Sequence, residues 1–360
     1  KGNGMSHNKK LNTLLKSVRN TKASSGRPDT TKIVAQLRGL GGPIRYEDTG
    51  KLGFGLLLLF AGGYGHLLGS ERGYPIGPDG TSDSVILIYN TLIAVAAGFI
   101  LFWLFRRRKA RKFVQEVFER AALVSYGFHD EPVPALKELD QHFHEFDRGN
   151  DSRKIVYFMS APGDGNKVRQ GYSLFQFHWV VREERQVTET DHNGHSTTKT
   201  ETTYYHYDRY GLMLEGSYSG IQIVSDAPGG RYKLKYRPAS VEFNRRYRIR
   251  CVDEMQAAKL LKPSVVIALE NASDQLKSPN LEYGLNGQMC LTWSNDPLSV
   301  RTVMKSKDNP NELADIIAAG AKLPVLDDAL QLVADIQRHT QSNFSMLEGN
   351  SPEASIQGVK

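Results

Sequence analysis

Four histidines, His178, His192, His195 and His206, fall on or between two consecutive β-prone runs, residues 172–191 and 196–215. Imidazole nitrogens bind zinc when three or four ligands converge on one tetrahedral site. Here His192 and His195 flank an Asn193-Gly194 turn, while His178 and His206 lie further down the strands. No cysteine joins them, and the spacing does not bring the four together. They read as hairpin surface residues, with no metal and no cofactor. His142 and His144 are two apart in a helical stretch, where shared ligation needs three or four. The loop from Ala161 to Lys167 has the look of a phosphate loop, but it lacks the G-x-x-x-x-G-K-[ST] spacing and Val168 follows. It reads as a turn. Asp226, Asp253 and Glu270 are single carboxylates, and acid–base catalysis needs them positioned against a reacting group or each other. Asp253 reads instead as a helix cap. Neither a nucleophile elbow nor an H-E-x-x-H helix occurs. The chain therefore reads as a non-enzyme. A membrane-associated enzyme of unknown reaction and a pore or transporter subunit stand as the alternatives.

What must position the rest is an apolar run, residues 84–105, uncharged and about 22 residues long, enough for a helix to cross ~30 Å of hydrocarbon. It ends on Arg106, Arg107, Arg108, Lys109, Arg111 and Lys112. A shorter run, residues 52–69, precedes it and carries Gly53, Gly55, Gly62, Gly63 and Gly65. Small residues let membrane helices approach closely. The matching set on the second run is Ala94, Ala97 and Gly98, with Ala96 beside them. The two runs predict a transmembrane helical hairpin over residues 51–105. Positive charge at the outer flanks of both runs puts both termini in the cytoplasm and the short connection outside. This implies a multi-pass protein of the cell's inner membrane, whose basic cluster lies against anionic headgroups. His66, near the outer end of the first run, has no charged partner and reads as interfacial. The net charge of +7 is concentrated at the spans and lacks the aromatic interleaving of a single-strand platform, so no nucleic-acid partner is expected.

Residues 1–50 are basic and polar. They read as a cytosolic tail or a segment on headgroups, with a short amphipathic helix near residues 11–18. Residues 106–127 continue the second span as a helix with an apolar face, docked on soluble structure in preference to lying along the leaflet. Residues 135–146 form a second juxtamembrane helix, the pair filling 106–147. A cytosolic, mainly antiparallel β domain follows over residues 153–305, with flanking helices and a long protruding hairpin. The base of that hairpin is aromatic. Its tip, residues 183–203, is charged and Thr-rich, with Asp191, His192, Asn193, Gly194 and His195 at the apex as an interaction arm. Alternation over residues 239–251 predicts a strand with a bulge at Asn244-Arg245. Helices are expected from Asp253 and after Pro310 and Pro324, the last ending at His339. Residues 340–360 read as a disordered tail. Cys251 and Cys290 are too few for a disulfide framework and read as buried thiols.

Ser240-Val241-Glu242-Phe243, the F-x-x-x-Y from Phe243 to Tyr247, Asp253, Ala257-Ala258, Leu260-Leu261, Pro263 and Asn286-Gly287 carry a likeness. Over residues 50–340 the chain resembles an uncharacterised family of bacterial and archaeal membrane proteins found near LemA-type proteins. That resemblance implies two N-terminal spans and a cytosolic α+β domain. It supplies no active site. The arm looks like an addition to the usual pattern. These readings converge on a membrane-anchored α+β protein acting as a scaffold, either assembling with copies of itself or binding a membrane or cytosolic protein.

Overall fold

The structure, a computed structural model, describes residues 7–20, 30–44, 49–75, 82–163, 171–190, 196–226, 230–299 and 309–348. In chain order the helices are α1 (His7–Asn20), α2 (Thr31–Arg38), α3 (Thr49–Arg72), α4 (Asp83–Ser125), α5 (Leu136–His142), α6 (Val241–Arg246), α7 (Glu254–Leu260), α8 (Pro263–Gln275), α9 (Pro310–Ala318) and α10 (Pro324–Glu348). The strands are β1 (His129–Asp130), β2 (Arg153–Ala161), β3 (Tyr172–Thr190), β4 (Ser196–Glu215), β5 (Ile221–Val224), β6 (Leu234–Tyr236), β7 (Arg248–Cys251), β8 (Asn280–Tyr283) and β9 (Gln288–Trp293). The described residues form two compact units, one drawn from residues 1–125 and 300–321, the other from 126–299 and 322–360.

The first unit is helical. α3 and α4 carry the two apolar runs, and both are long enough to cross a bilayer. α4 then runs on without a break to Ser125, 43 residues in all. Beyond the arginines it buries Phe113, Val114, Val117, Phe118 and Ala121, a stripe at helical spacing. α1 packs against this helix and α2 against α9. The basic N-terminal segment is thus not a bare tail. Leu11, Leu14 and Val18 share one buried face, and Ile33, Val34 and Leu37 share another. Arg19 donates from Nη2 to Glu116 Oε2 at 2.9 Å, and Arg38 pairs with Asp315 at 2.8 Å. Both pairs are exposed and are worth little beside the packing.

The second unit is built on one nine-stranded, wholly antiparallel sheet in the order β1-β2-β3-β4-β9-β8-β5-β7-β6. Side chains alternate between its faces. One face is apolar along the centre: Leu212, Leu291, Leu281 and Ile223 follow one another across four strands. The other face changes character along its length. Over β3 it carries Phe175, Phe177 and Trp179, packed under Leu139 and Phe143 of the α5 region and Phe146. Further across it turns polar. Asn286-Gly287 forms the β8–β9 turn as expected, with Gly287 in the left-handed region at φ 79°.

Three expectations give way. Residues 239–251 are not one strand but α6 followed by β7. Ser240 caps α6, its Oγ accepting from the Phe243 N–H at 3.1 Å and donating to Glu270 at 2.6 Å. Phe243 and Tyr247 then stack one helical turn apart, centroids 4.7 Å, while Val241 is left 84% exposed. The spacing of four outweighed the spacing of two. The juxtamembrane helix over residues 135–146 is also broken. α5 stops at His142, Phe143 is extended, and a separate 3-10 turn runs from His144 to Asp147. Lastly, α10 continues through residues 340–348, where a disordered tail was expected; residues 349–360 lie outside the described chain.

Candidate functional site

β3 and β4 pair in unbroken register from Tyr172↔Leu214 to Thr190↔Ser196. Their surroundings divide the hairpin in two. β2 accompanies β3 only as far as Trp179, and β9 accompanies β4 only from Tyr210. Asn150 extends the β3 side slightly. Its Nδ2 donates to the Arg182 carbonyl and its Oδ1 accepts from the Arg182 N–H, at 3.0 and 2.7 Å. Beyond these points the two strands pair only with each other, and β4 is exposed from Ser196 to Asp208. About ten residue pairs project this way, some 33 Å of ribbon.

Cross-strand pairs hold this outer ribbon. On one face Val187 opposes Lys199 and Arg185 opposes Glu201, and Lys199 reaches diagonally to Glu189 at 2.7 Å. On the other face Gln186 opposes Thr200, and Thr188 and Thr198 hydroxyls meet at 3.3 Å. Such pairs contribute roughly 0.2–1 kcal/mol each. A two-stranded ribbon built on them is marginal by itself. The apex residues Asp191, His192, Asn193, Gly194 and His195 lie outside the described residues.

At the base of the ribbon, His178 and His206 stack with centroids 5.5 Å apart, and His178 Nδ1 lies 2.9 Å from Asp208. On the opposite face Tyr207 stacks on Trp179 and Trp179 on Phe177. Tyr204, Tyr205 and Tyr207 are exposed. Among the described residues no three His, Cys, Asp or Glu side chains converge as a metal site.

Sequence reasoning missed a buried ionic cluster on the polar half of that sheet face. Arg209, almost fully buried, donates to Ser294 Oγ, the Ser278 carbonyl and Thr292 Oγ1 at 2.9–3.1 Å. Its Nε lies 3.1 Å from Glu145 Oε1, and Arg148 Nε lies 2.7 Å from the same oxygen. None of these three atoms has hydrogen-bond geometry, so the attraction there is one of charge. Glu145 Oε2 accepts from Asn280 at 2.8 Å. Burial pulls the Arg209 pKa down, and the Glu145 charge opposes that pull. Next to them Glu282 accepts from the His144 N–H at 2.7 Å and from Gln222 at 3.4 Å. Burial, then the neighbouring Glu145 charge, pushes the Glu282 carboxyl up to about 7. Arg209 Nη1 and Nη2 donate to the protein itself and its charge faces Glu145, so this cluster fastens the 3-10 turn His144–Asp147 to the sheet. Asp226, a lone carboxylate in the sequence, is drawn to its rim, 3.7 Å from Arg209. Asp253 caps α7 through the Met255 N–H at 2.9 Å, and Glu270 braces Ser240. Cys251 and Cys290 are both buried free thiols, and burial raises both pKa values.

In the helical unit, only some of the small residues meet their partner helix. Gly55 lies against Phe99, Gly62 against Leu92 and Ile93, and Gly65 against the Tyr89 ring, each with no room for a methyl group unless the neighbour moves. Ala96 is fully buried opposite them. Gly53, Gly63 and Gly98 have open space at the Cβ position, and Ala94 and Ala97 are exposed. At 100° per residue those five point away from the α3–α4 seam. Of the basic cluster, Arg107, Arg108, Lys109, Arg111 and Lys112 are exposed. Arg106 and Arg107 lie over the Phe102 and Trp103 rings at 4.8 and 5.4 Å. Compared with family models, curated proteins and solved structures, the chain matches none.

Proposed function

We propose that the chain is a non-catalytic, membrane-anchored scaffold whose sheet unit presents the outer β3–β4 ribbon to a protein partner or to another copy of itself. The single observation that carries this reading is the ribbon. About ten pairs of strand extend past the last neighbouring strand, charged and Thr-rich and exposed at every β4 residue from Ser196 to Asp208, without a core of their own. Folding alone gives no return for ordering such a segment.

Anchoring is supported by the outer surfaces of α3 and α4. Phe60, Leu101 and Phe105 are 72%, 65% and 67% exposed, with Leu57, Leu67 and Leu87 beside them in the same condition. Leaving side chains of this size in water forgoes roughly 1.5–3 kcal/mol each. Hydrocarbon removes that penalty. The basic residues from Arg106 to Lys112 then lie at the cytoplasmic headgroups, both termini share the cytoplasm, and the protein is a two-span resident of the inner membrane. The resemblance to the two-span family found near LemA-type proteins accords with this arrangement.

The test shortens the arm in the full chain. Arg185 and Glu201 are cross-strand partners, so replacing residues 186–200 by Asn-Gly removes the five pairs from Gln186↔Thr200 to Thr190↔Ser196 and closes the ribbon in the same register. The detergent-solubilised variant should keep its melting temperature and lose the larger assembly seen for the parent. An assembly of unchanged mass would sink the arm's role.

A further inference from the structure

The ribbon's two edges are not equivalent. Along a strand, backbone N–H and C=O groups point alternately to the two sides. Gly216, just past β4, donates its N–H to the Gly287 carbonyl at 2.8 Å, and Leu214 pairs with Met289, so even-numbered β4 residues turn toward β9. Past Tyr210, where β9 is absent, the same alternation leaves the main chain of Thr198, Thr200, Thr202 and Tyr204 facing outward, with no strand beside it among the described residues. A long, flat, exposed edge is a template for another strand, and proteins that avoid this use prolines, bulges or rows of lysine. This edge has no proline, its register has no bulge, and it has one lysine.

We propose that two copies of the chain join through this β4 edge, antiparallel about a two-fold axis at Thr200, giving a four-stranded intermolecular sheet. This deepens the scaffold reading above and rests on it. Thr200 then faces Thr200 of the second copy, and Thr198 faces Thr202, each an even-numbered pair with outward main-chain groups as the ladder requires. Lys199 faces Glu201 of the second copy, and Glu201 faces its Lys199. Moving the axis to Lys199 sets lysine on lysine, and moving it to Glu201 sets glutamate on glutamate; only the Thr200 axis pairs the two opposite charges. The row across the new sheet then reads Arg185, Glu201, Lys199, Val187, with Glu201 set between two cations. Four strands also cure the weakness of two. The β3 edge is the poorer candidate. Asn150 occupies it up to Arg182, leaving a shorter stretch.

The experiment uses the full chain in detergent and in its native membrane. Lys199→Glu alone and Glu201→Lys alone each set two like-charge pairs in the interface and should weaken self-association about ten- to hundredfold. Mixing the two variants makes every facing pair opposite in sign and should restore association between them. Under mild oxidation Thr200→Cys should form a disulfide dimer, because facing Cα atoms in a hydrogen-bonded pair are ~5.5 Å apart. Thr198→Cys alone should not, but Thr198→Cys mixed with Thr202→Cys should. The native Cys251 and Cys290 are buried and do not interfere. Failure of the mixed variants to associate overturns the proposal. So does cross-linking at Val187→Cys with none at Thr200→Cys, which would move the contact to the β3 edge. If arm shortening strips off a different protein while Thr200→Cys stays monomeric, the scaffold reading survives and this inference fails.

Discussion

The inner and outer halves of the β3–β4 hairpin share one register and one pair of strands, yet they are held by different physics. The inner half is covered on both faces. Phe175, Phe177, Leu212 and Leu214 are buried, and Arg209 is bound into an ionic cluster. The outer half buries none of its β4 side chains up to Asp208 and relies on cross-strand pairs. The difference teaches that strand pairing and fold stability are separable along a single element. The inner half is where substitutions should unfold the unit. The outer half is where they should change association and leave the fold alone.

That division can be tested from its strongest side downward. Glu145→Ala leaves the Arg209 and Arg148 guanidinium groups without their shared carboxylate inside the protein. It should cost about 3–5 kcal/mol in denaturant unfolding, and a loss under 1 kcal/mol would mean that the cluster holds nothing. Glu282 gives a pH-dependent signature. Its folded-state pKa is raised from an ordinary 4.5 to about 7, so its contribution is fully present below pH 4.5 and fades as pH rises through 7. About 3 kcal/mol is withdrawn across that window. Glu282→Gln should flatten stability between pH 5 and 8, and an unchanged slope would assign the titration to another group. Gly211→Ala puts a methyl group 2.9 Å from the Leu291 carbonyl and 2.5 Å from the Phe175 ring. A cost of about 1–3 kcal/mol is expected in a thermal melt. The arm replacement over residues 186–200 should shift stability by no more than about 0.5 kcal/mol. A large shift there would erase the contrast between the halves.

Period-two patterning made the hairpin legible, since strands at 172–191 and 196–215 differ from the observed β3 and β4 by one residue. The apolar helices, the capping role of Asp253 and the Asn286-Gly287 turn were legible for similar local reasons. The ionic cluster was not. Gln222, Glu282 and Thr292 each alternate with apolar neighbours, and such a pattern reads as a solvent face. Alternation reports which side a residue takes, but not whether something covers that side. The cover here, Glu145 on the 3-10 turn His144–Asp147, is brought in by tertiary packing. The one local hint was Arg209, a cation set among Tyr210, Leu212 and Leu214 in a strand. Of the N-terminal helices, α1 was legible over residues 11–18, and α2 was obscured for the opposite reason. Its apolar residues are few, and the surrounding lysine and arginine masked the spacing of Ile33, Val34 and Leu37.

The uninterrupted length of α4 carries a mechanical consequence. Its 43 residues make a rod of about 65 Å, of which ~30 Å suffices for hydrocarbon. With α4 anchored as proposed above, the remainder would work as a ruler, fixing how far the α1 and α9 packing face stands off from the headgroups. Residue count sets both its length and its phase. One residue added after Lys112 would swing that face by 100° for a rise of only ~1.5 Å, whereas seven would lift it by ~10 Å and nearly restore its heading. Insertions along this segment thus separate distance from direction.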